Sequence, residues 1–113
     1  MREELEKKLI SRFPLLYGSD FHFECHDGWY DLIWKLSEEI YPEMEKLRDD
    51  EMYATQVKSK YGSLRFYMSY YTFTIEQAIQ KYRELSTETC EVCGKGGRLK
   101  KNGYWWRTAC EDH

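Results

Sequence analysis

Apolar residues recur at helical spacing near the start of the chain. Leu5 and Leu9 are four residues apart, and Ile10 and Phe13 are three apart, which places them on one face of an α-helix. Proline disfavours helical backbone at the residue before it, so Pro14 should end this segment. The pattern predicts a short helix over residues 3–12.

The next segment changes from helical spacing to alternation. In the stretch DFHFEC, residues 20–25, Phe21, Phe23 and Cys25 alternate with polar side chains. This period predicts a short half-buried strand, with Cys25 as a small core residue. The polar side of the same strand would carry His22, Glu24 and His26.

A second amphipathic helix is predicted after Asp27, which we expect to cap it. The apolar positions at helical spacing are Trp29, Leu32, Ile33, Leu36, Ile40, Met44 and Leu47. Pro42 lies inside this run. Because proline lacks an N–H and clashes with the preceding helical turn, we expect a kink or break near Tyr41.

A β-hairpin and a third helix are predicted next. In MYATQVKSKYGSLRFYMSY, residues 52–70, Gly62 can supply a positive-φ turn position between two strands. Thr74 and Gln77 then have the spacing of a capping box. The apolar positions that predict the helix are Ile75, Ala78, Ile79, Tyr82 and Leu85.

Composition places the chain among globular proteins. Of its 113 residues, 42% are hydrophobic and 17% aromatic, which argues against disorder. The charged first residues lack the apolar stretch of a signal peptide, and no apolar run reaches the ~20 residues of a membrane span. We therefore expect a cytoplasmic protein with no membrane partner, in a compartment that disfavours structural disulfides.

The charge is divided unevenly along the chain. Residues 1–57 hold fourteen acidic and seven basic side chains, whereas residues 58–113 hold six acidic and ten basic ones. One interpretation is a basic face directed toward an acidic partner. The alternative is an incidental imbalance between two parts of one fold.

Three of the four cysteines lie in the last fifth of the chain, in the pattern C-x2-C, sixteen residues, C-x2-H. Two such pairs can supply the four ligands of a tetrahedral zinc ion. We predict one structural Zn²⁺ per chain, bound by Cys90, Cys93, Cys110 and His113. Unligated thiols and a redox pair at Cys90 and Cys93 are the alternatives.

A different metal chemistry is suggested by His22-x-Glu24 followed by C-x2-C, because zinc deaminases combine such elements. The proline expected before the cysteine pair is replaced by Thr89, and Cys110 and His113 would have no role in such a site. We therefore favour an exposed polar strand face over a site, and a non-enzymatic protein over a small hydrolase or deaminase.

Basic and aromatic residues alternate between the two ligand pairs. Asn102-Gly103 predicts a tight hairpin turn there. The basic residues are Lys95, Arg98, Lys100, Lys101 and Arg107, and the aromatic ones are Tyr104, Trp105 and Trp106. This surface could bind nucleic acid through phosphate contacts and base stacking. Alternatively, the aromatics pack on the third helix; adjacent Trp105 and Trp106 point to opposite sides, so we expect one docked and one exposed.

Three motifs in order resemble a family of small proteins encoded by bacteriophages and prophages. They are FECHDGWYDLIWKL, QVKSKYGSLRFYMS and the terminal CEVCGKGGRLKKNGYWWRTACEDH. The resemblance covers nearly the whole chain and implies phage origin and zinc binding, but no particular activity. Where the family commonly reads C-G-D-G-W, this chain has His26 in place of the first glycine.

The resemblance also highlights Asp27 and Arg65. Asp27 would be an internal partner for Arg65, or else Arg65, Tyr67 and His22 would edge a groove that takes an anionic ligand or a partner carboxylate. The whole candidate interaction surface comprises Lys100, Lys101, Trp106, Arg107, Arg65, Tyr67 and His22.

Taken together, the sequence predicts an α+β fold of about three helices on a small antiparallel sheet. Residues 1–88 would form the helical and hairpin part, and residues 89–113 a docked zinc-ribbon or treble-clef-like module. We expect a non-enzymatic protein that recognises a host or phage macromolecule, as a regulator or an inhibitor of host defence. A protein partner is favoured; a nucleic-acid-binding accessory protein is the alternative.

Overall fold

The computed structural model describes residues 1–113 and confirms the predicted α+β class. The helices are α1 (Glu3–Arg12), α2 (Tyr30–Leu47) and α3 (Phe73–Ser86). The strands are β1 (Phe23–Glu24), β2 (Ala54–Lys60), β3 (Ser63–Met68), β4 (Arg98–Asn102) and β5 (Trp105–Ala109). A 3₁₀ turn at Asp27–Trp29 leads directly into α2. No helix is both long and apolar enough to cross a membrane.

The first three strands form one sheet in the order β1-β2-β3, and β4 pairs with β5 in a separate two-stranded sheet. Phe23, Val57 and Phe66 lie side by side across the larger sheet. The pair β2–β3 is antiparallel, as predicted, but β1 runs parallel to β2. The reason is that α2 lies between β1 and β2 and returns the chain in the same direction.

Both hairpin turns use positive φ angles. Between β2 and β3, Tyr61 and Gly62 have φ values of 52° and 77°, as a type I′ turn requires. Between β4 and β5, the two turn residues are Gly103, with φ of 61°, and Tyr104. The predicted turn at Asn102-Gly103 is therefore one residue too early, since Asn102 pairs with Trp105.

The core lies between the larger sheet and the helices. Ile33, Leu36 and Ile40 are fully buried along one face of α2, as is Trp29 in the turn before it, and Cys25 belongs to the same core as predicted. The predicted break in α2 is wrong, because the helix continues through the exposed Pro42 to Leu47. The chain therefore tolerates the missing N–H of a proline on the outer side of its longest helix.

Two predicted polar contacts are replaced by others. The N-cap of α3 is Thr72, whose side chain accepts from the Ile75 N–H at 3.2 Å; the predicted Thr74 lies inside the helix. Asp27 neither caps α2 nor meets Arg65, because it accepts from Arg2 N–H at 2.8 Å and Arg2 Nε at 2.6 Å. Arg65 Nε instead donates to Ser63 Oγ at 3.1 Å.

Candidate metal centre

The structure brings together the four predicted ligands of the C-terminal segment. Their ligand atoms all lie within 4.8 Å of one another. Cys93 Sγ is 3.7 Å from Cys110 Sγ, and His113 Nδ1 is 3.1 Å from Cys110 Sγ and 3.8 Å from Cys90 Sγ. This is the one group of His, Cys, Asp and Glu side chains in the molecule that could hold a metal ion.

The spacing of the sulfur atoms fits a metal and excludes a disulfide. Zinc–sulfur bonds of about 2.3 Å in a tetrahedron place two sulfur atoms about 3.8 Å apart. A disulfide requires about 2.05 Å, and all four cysteines are free. Three sulfur atoms and one imidazole nitrogen form a donor set that suits zinc and leaves no coordination position for a substrate.

Local backbone geometry presents the first two ligands on one tight turn. Gly94 has φ of 82° and donates its N–H to Cys90 O at 2.9 Å. The Cys90 N–H in turn donates to Lys95 O at 2.7 Å. Strand β5 delivers Cys110, and a short turn brings His113 N–H to Cys110 O at 3.3 Å.

The ionisation of the clustered thiols would be favoured by a bound cation. Burial of Cys90 opposes its ionisation, but hydrogen bonds from the backbone N–H groups of Cys93, Cys110 and Val92 outweigh it and lower its pKa to about 6. At Cys93 the Lys95 N–H favours the thiolate, yet desolvation and the two neighbouring thiols raise its pKa. Three thiolates at these distances would repel one another, and a divalent cation would remove that repulsion.

The ligand turn packs directly on the 3₁₀ turn that precedes α2. Gly28 N–H donates to Glu91 O at 2.7 Å, and Trp29 Nε1 donates to Thr89 O at 2.9 Å. A side chain at Gly28 would place its Cβ 2.2 Å from Cys90 O. The motif H-D-G-W, residues 26–29, is therefore the surface on which the turn with the first ligand pair packs.

A buried carboxylate completes this contact. Glu91, between the first two ligands, accepts from the His26 N–H at 3.1 Å and from Ser59 Oγ at 2.9 Å. On the other side of the segment, Thr108 Oγ1 donates to Gly62 O at 2.6 Å. The candidate metal-binding segment, residues 90–113, is thus joined both to the turn before α2 and to the β2–β3 hairpin.

The deaminase-like residues take no part in the metal centre. Exposed His22 lies with Nδ1 3.3 Å from Glu6 Oε1, and Glu24 accepts from Gln56 Nε2 at 2.7 Å. Neither belongs to the group of four ligands. Cys25 is buried, and desolvation followed by the charge of Glu91 raises its pKa to about 12, so it has the character of a core thiol.

The β4–β5 hairpin carries most of the predicted interaction surface. Lys100 donates to Cys110 O at 2.6 Å, and Arg107 donates to His113 O, so both also support the turn that carries the second ligand pair, Cys110 and His113. Trp106 is 37% exposed and packs edge-to-face on Tyr61 at 5.6 Å, whereas Trp105 is 73% exposed. The expectation of one docked and one exposed tryptophan is not confirmed, because both side chains are exposed; Trp106 is the less exposed of the two and contacts Tyr61.

Two grooves flank the contact between Tyr61 and Trp106. One, of about 550 Å³, runs between the hairpin and the end of β1 and is lined by Trp105, Arg107 and Glu91. The other, of about 450 Å³, lies between β3 and α3 and is lined by Arg65, Arg83 and Glu84. Tyr61 and Trp106 line both grooves.

The predicted common groove of Arg65, Tyr67 and His22 is wrong. His22 lies in a separate depression with Asp20 and Gln56, and half-buried Tyr67 lines neither groove beside Trp106. Sequence reasoning also missed Tyr61, Arg83 and Glu91. No local pattern marks them, because tertiary packing alone places them beside the hairpin.

Comparison with family models, with curated proteins and with solved structures finds no match to this chain. The fold and the cluster of four ligands are therefore the observations that bear on function.

Proposed function

We propose that this is a non-enzymatic zinc protein, of phage or prophage origin, that recognises a host or phage macromolecule as a regulator or an inhibitor of host defence. The observation that carries zinc binding is the convergence of Cys90, Cys93, Cys110 and His113 within 4.8 Å. Four protein ligands fill a tetrahedral zinc ion, so its role is structural.

Recognition of a partner is supported by the exposed aromatic side chains of the β4–β5 hairpin, which lies between the two ligand pairs. The hairpin between the ligand pairs exposes Tyr104 completely and Trp105 by 73%. A soluble domain normally buries large aromatic side chains, and aromatic groups are enriched where partners bind. The zinc ion would fix this hairpin as a rigid binding surface.

Zinc binding is tested by native mass spectrometry and metal analysis of the purified protein. We expect one zinc per chain, lost in Cys90→Ser and Cys110→Ser. Cys25→Ser is the matched control, because Cys25 lies outside the cluster, and it should retain the metal. His113→Ala should lose zinc only partly, since water can replace one imidazole. Protein that lacks metal yet keeps an ordered hairpin would contradict the proposal.

Recognition is tested by affinity capture from host lysate, with and without nuclease. The matched control is Cys110→Ser, which should lose the partner together with the metal. A partner that survives nuclease treatment identifies a protein target, whereas loss under nuclease identifies nucleic acid. Capture of the same material by the wild-type protein and by Cys110→Ser would count against a role for the hairpin.

A further inference from the structure

Tyr61 and Trp106 form an aromatic ridge that is bordered by cations. Their rings meet edge-to-face at 5.6 Å. Lys60 Nζ lies 5.7 Å from the centre of the Tyr61 ring, and Lys101 Nζ lies 4.4 Å from that of Trp106. The ridge is built by two segments far apart in sequence, the β2–β3 turn and strand β5.

The adjoining groove adds two arginines that have no acidic partner. The four ion pairs of the molecule involve Arg2, Lys7, His22 and Lys81, and therefore neither Arg65 nor Arg83. Lys60 and Lys101 are also outside them. The acidic residue in the lining of this groove is Glu84, to which Gln80 Nε2 donates at 3.1 Å. With two arginines and one glutamate in its lining, the groove carries a net positive charge beside an aromatic surface.

We propose that this surface, the Tyr61–Trp106 ridge with Arg65, Arg83 and Lys101, binds single-stranded nucleic acid. The inference rests on the proposed recognition function and names its partner. Guanidinium and ammonium groups contact the phosphates, and unpaired bases stack on the exposed aromatic rings. Bases in a duplex are already stacked, and an acidic peptide would leave the aromatic faces without partners.

The direct test is fluorescence anisotropy with labelled oligo-dT and oligo-rU of about 12 nucleotides, within the usual range of single-strand site sizes. A duplex of equal length and a polyglutamate peptide are the competing probes. Three or four phosphate contacts predict a log–log salt slope of about −2 to −3 on the single strands. We expect single strands to bind more tightly than the duplex or the peptide.

Variants locate the surface. Arg65→Ala with Arg83→Ala should make the salt slope shallower by about 1.4, because each single-strand phosphate contact contributes about 0.7. Lys35→Ala with Lys46→Ala is the matched control, since it removes two exposed and unpaired cations from α2. The control should change affinity by less than about twofold, because it touches no proposed phosphate contact.

The aromatic part is tested separately. Loss of one stacking surface typically weakens single-strand binding by about fivefold or more, so Trp106→Ala should do so while Trp106→Phe retains most of the affinity. Zinc content is measured for each variant, so that a misfolded hairpin is recognised. The arginine pair, which lies outside the hairpin, keeps the proposal testable if Trp106→Ala loses zinc.

Three outcomes would overturn this inference. They are equal loss of affinity in the arginine and control variants, tighter binding of polyglutamate than of oligo-dT, and no binding of any single strand at low salt. Each leaves the proposed recognition function standing if lysate capture finds a nuclease-resistant partner. A failed capture together with tight oligonucleotide binding would support single-strand binding at this surface but would leave the proposed recognition of a partner in the host lysate unsupported.

Discussion

Gly28 is the residue on which the metal-binding segment rests. Its N–H donates to Glu91 O, and a Cβ there would lie 2.2 Å from Cys90 O and 2.4 Å from Glu91 O. Both are backbone atoms of the ligand turn, which cannot rotate aside as a side chain would. The ligand turn can therefore pack against the turn before α2 only because residue 28 has no side chain.

Gly28→Ala should destabilise the protein by about 1–3 kcal/mol, the usual cost of overpacking a close contact. Gly96→Ala is the matched control within the metal-binding segment, because a Cβ at Gly96 meets nothing within 4 Å. Chemical denaturation with equal zinc loading measures both. Equal stability of the two variants would show that the contact at Gly28 is unimportant.

Asp27 gives a prediction about pH. Desolvation would raise the pKa of its carboxyl, but the backbone and side-chain hydrogen bonds from Arg2 and the charge of Arg2 lower it below 3.8. A lowered pKa in the folded state means that the carboxylate stabilises the fold above its unfolded pKa. That contribution is lost as the pH falls through the folded pKa.

Asp27→Asn should therefore destabilise the protein at pH 7 and make no difference near pH 2. The effect should stay below about 1 kcal/mol, because Arg2 is largely exposed and solvent screens the pair. Asp50→Asn serves as the control, since Asp50 is exposed. Thermal melts of the three proteins from pH 2 to pH 7 measure the difference, and a constant gap between Asp27→Asn and wild type would contradict it.

The helices and hairpins follow from local patterns in the sequence. Helix α1 has the predicted bounds, residues 3–12, because both the apolar spacing and the stop at Pro14 are local signals. Gly62 and Gly103 likewise mark the two hairpins, since positive φ is a local requirement. Local physics therefore predicts which elements exist.

Element ends and partners depend on contacts that a sequence does not display. Thr72 and Thr74 are both acceptable caps by residue type, and the structure has Thr72 as the cap because α3 begins at Phe73. The parallel pairing of β1 with β2 follows from the path of α2 between them. The metal ligands were predictable because their spacing in the sequence is itself the signal. The groove lined by Arg65 and Arg83 was not, because one residue lies on a strand and the other on a helix, and only tertiary packing brings them together.

Helix α2 offers a stabilising substitution. Pro42 lies within the helix and is exposed, so it contributes little packing while removing one helical hydrogen bond. Proline in a helix interior is about 3 kcal/mol less favourable than alanine. Pro42→Ala should therefore raise the stability by about 1–3 kcal/mol, less than the full value if α2 has already adjusted to the ring.

Urea denaturation measures the gain, with Glu45→Ala as the control at another exposed position of α2. No gain in Pro42→Ala relative to this control would mean that the proline ring makes a compensating contact.

Across the whole molecule, the metal-binding segment and the rest of the fold share hydrogen bonds. Glu91 accepts from His26 and Ser59, and Thr108 donates to Gly62. A buried polar group that loses its partner costs about 1–3 kcal/mol. Loosening of residues 90–113 should therefore disturb the turn before α2 and the β2–β3 turn as well.

Metal removal by a chelator should expose the amides of His26 and Gly28 to hydrogen exchange together with those of the β4–β5 hairpin. Both amides donate to Glu91, so they lose their acceptors when the segment loosens. Amides in the middle of α2 are the internal reference and should keep their protection. Continued protection of His26 and Gly28 after metal removal would show that the segment stays docked without metal.

The bond between His26 and Glu91 also has a consequence for folding during synthesis, because its two residues are far apart along the chain. The two residues are 65 positions apart, and ribosomes add about 5–20 residues per second. The His26 amide is therefore made roughly 3–13 s before its acceptor exists. If residues 90–113 dock only with their metal bound, as the proposed function implies, the turn before α2 reaches its final form only after the last ligands have been synthesised and the metal captured. The supply of metal would then determine how long the nascent protein stays accessible to proteases.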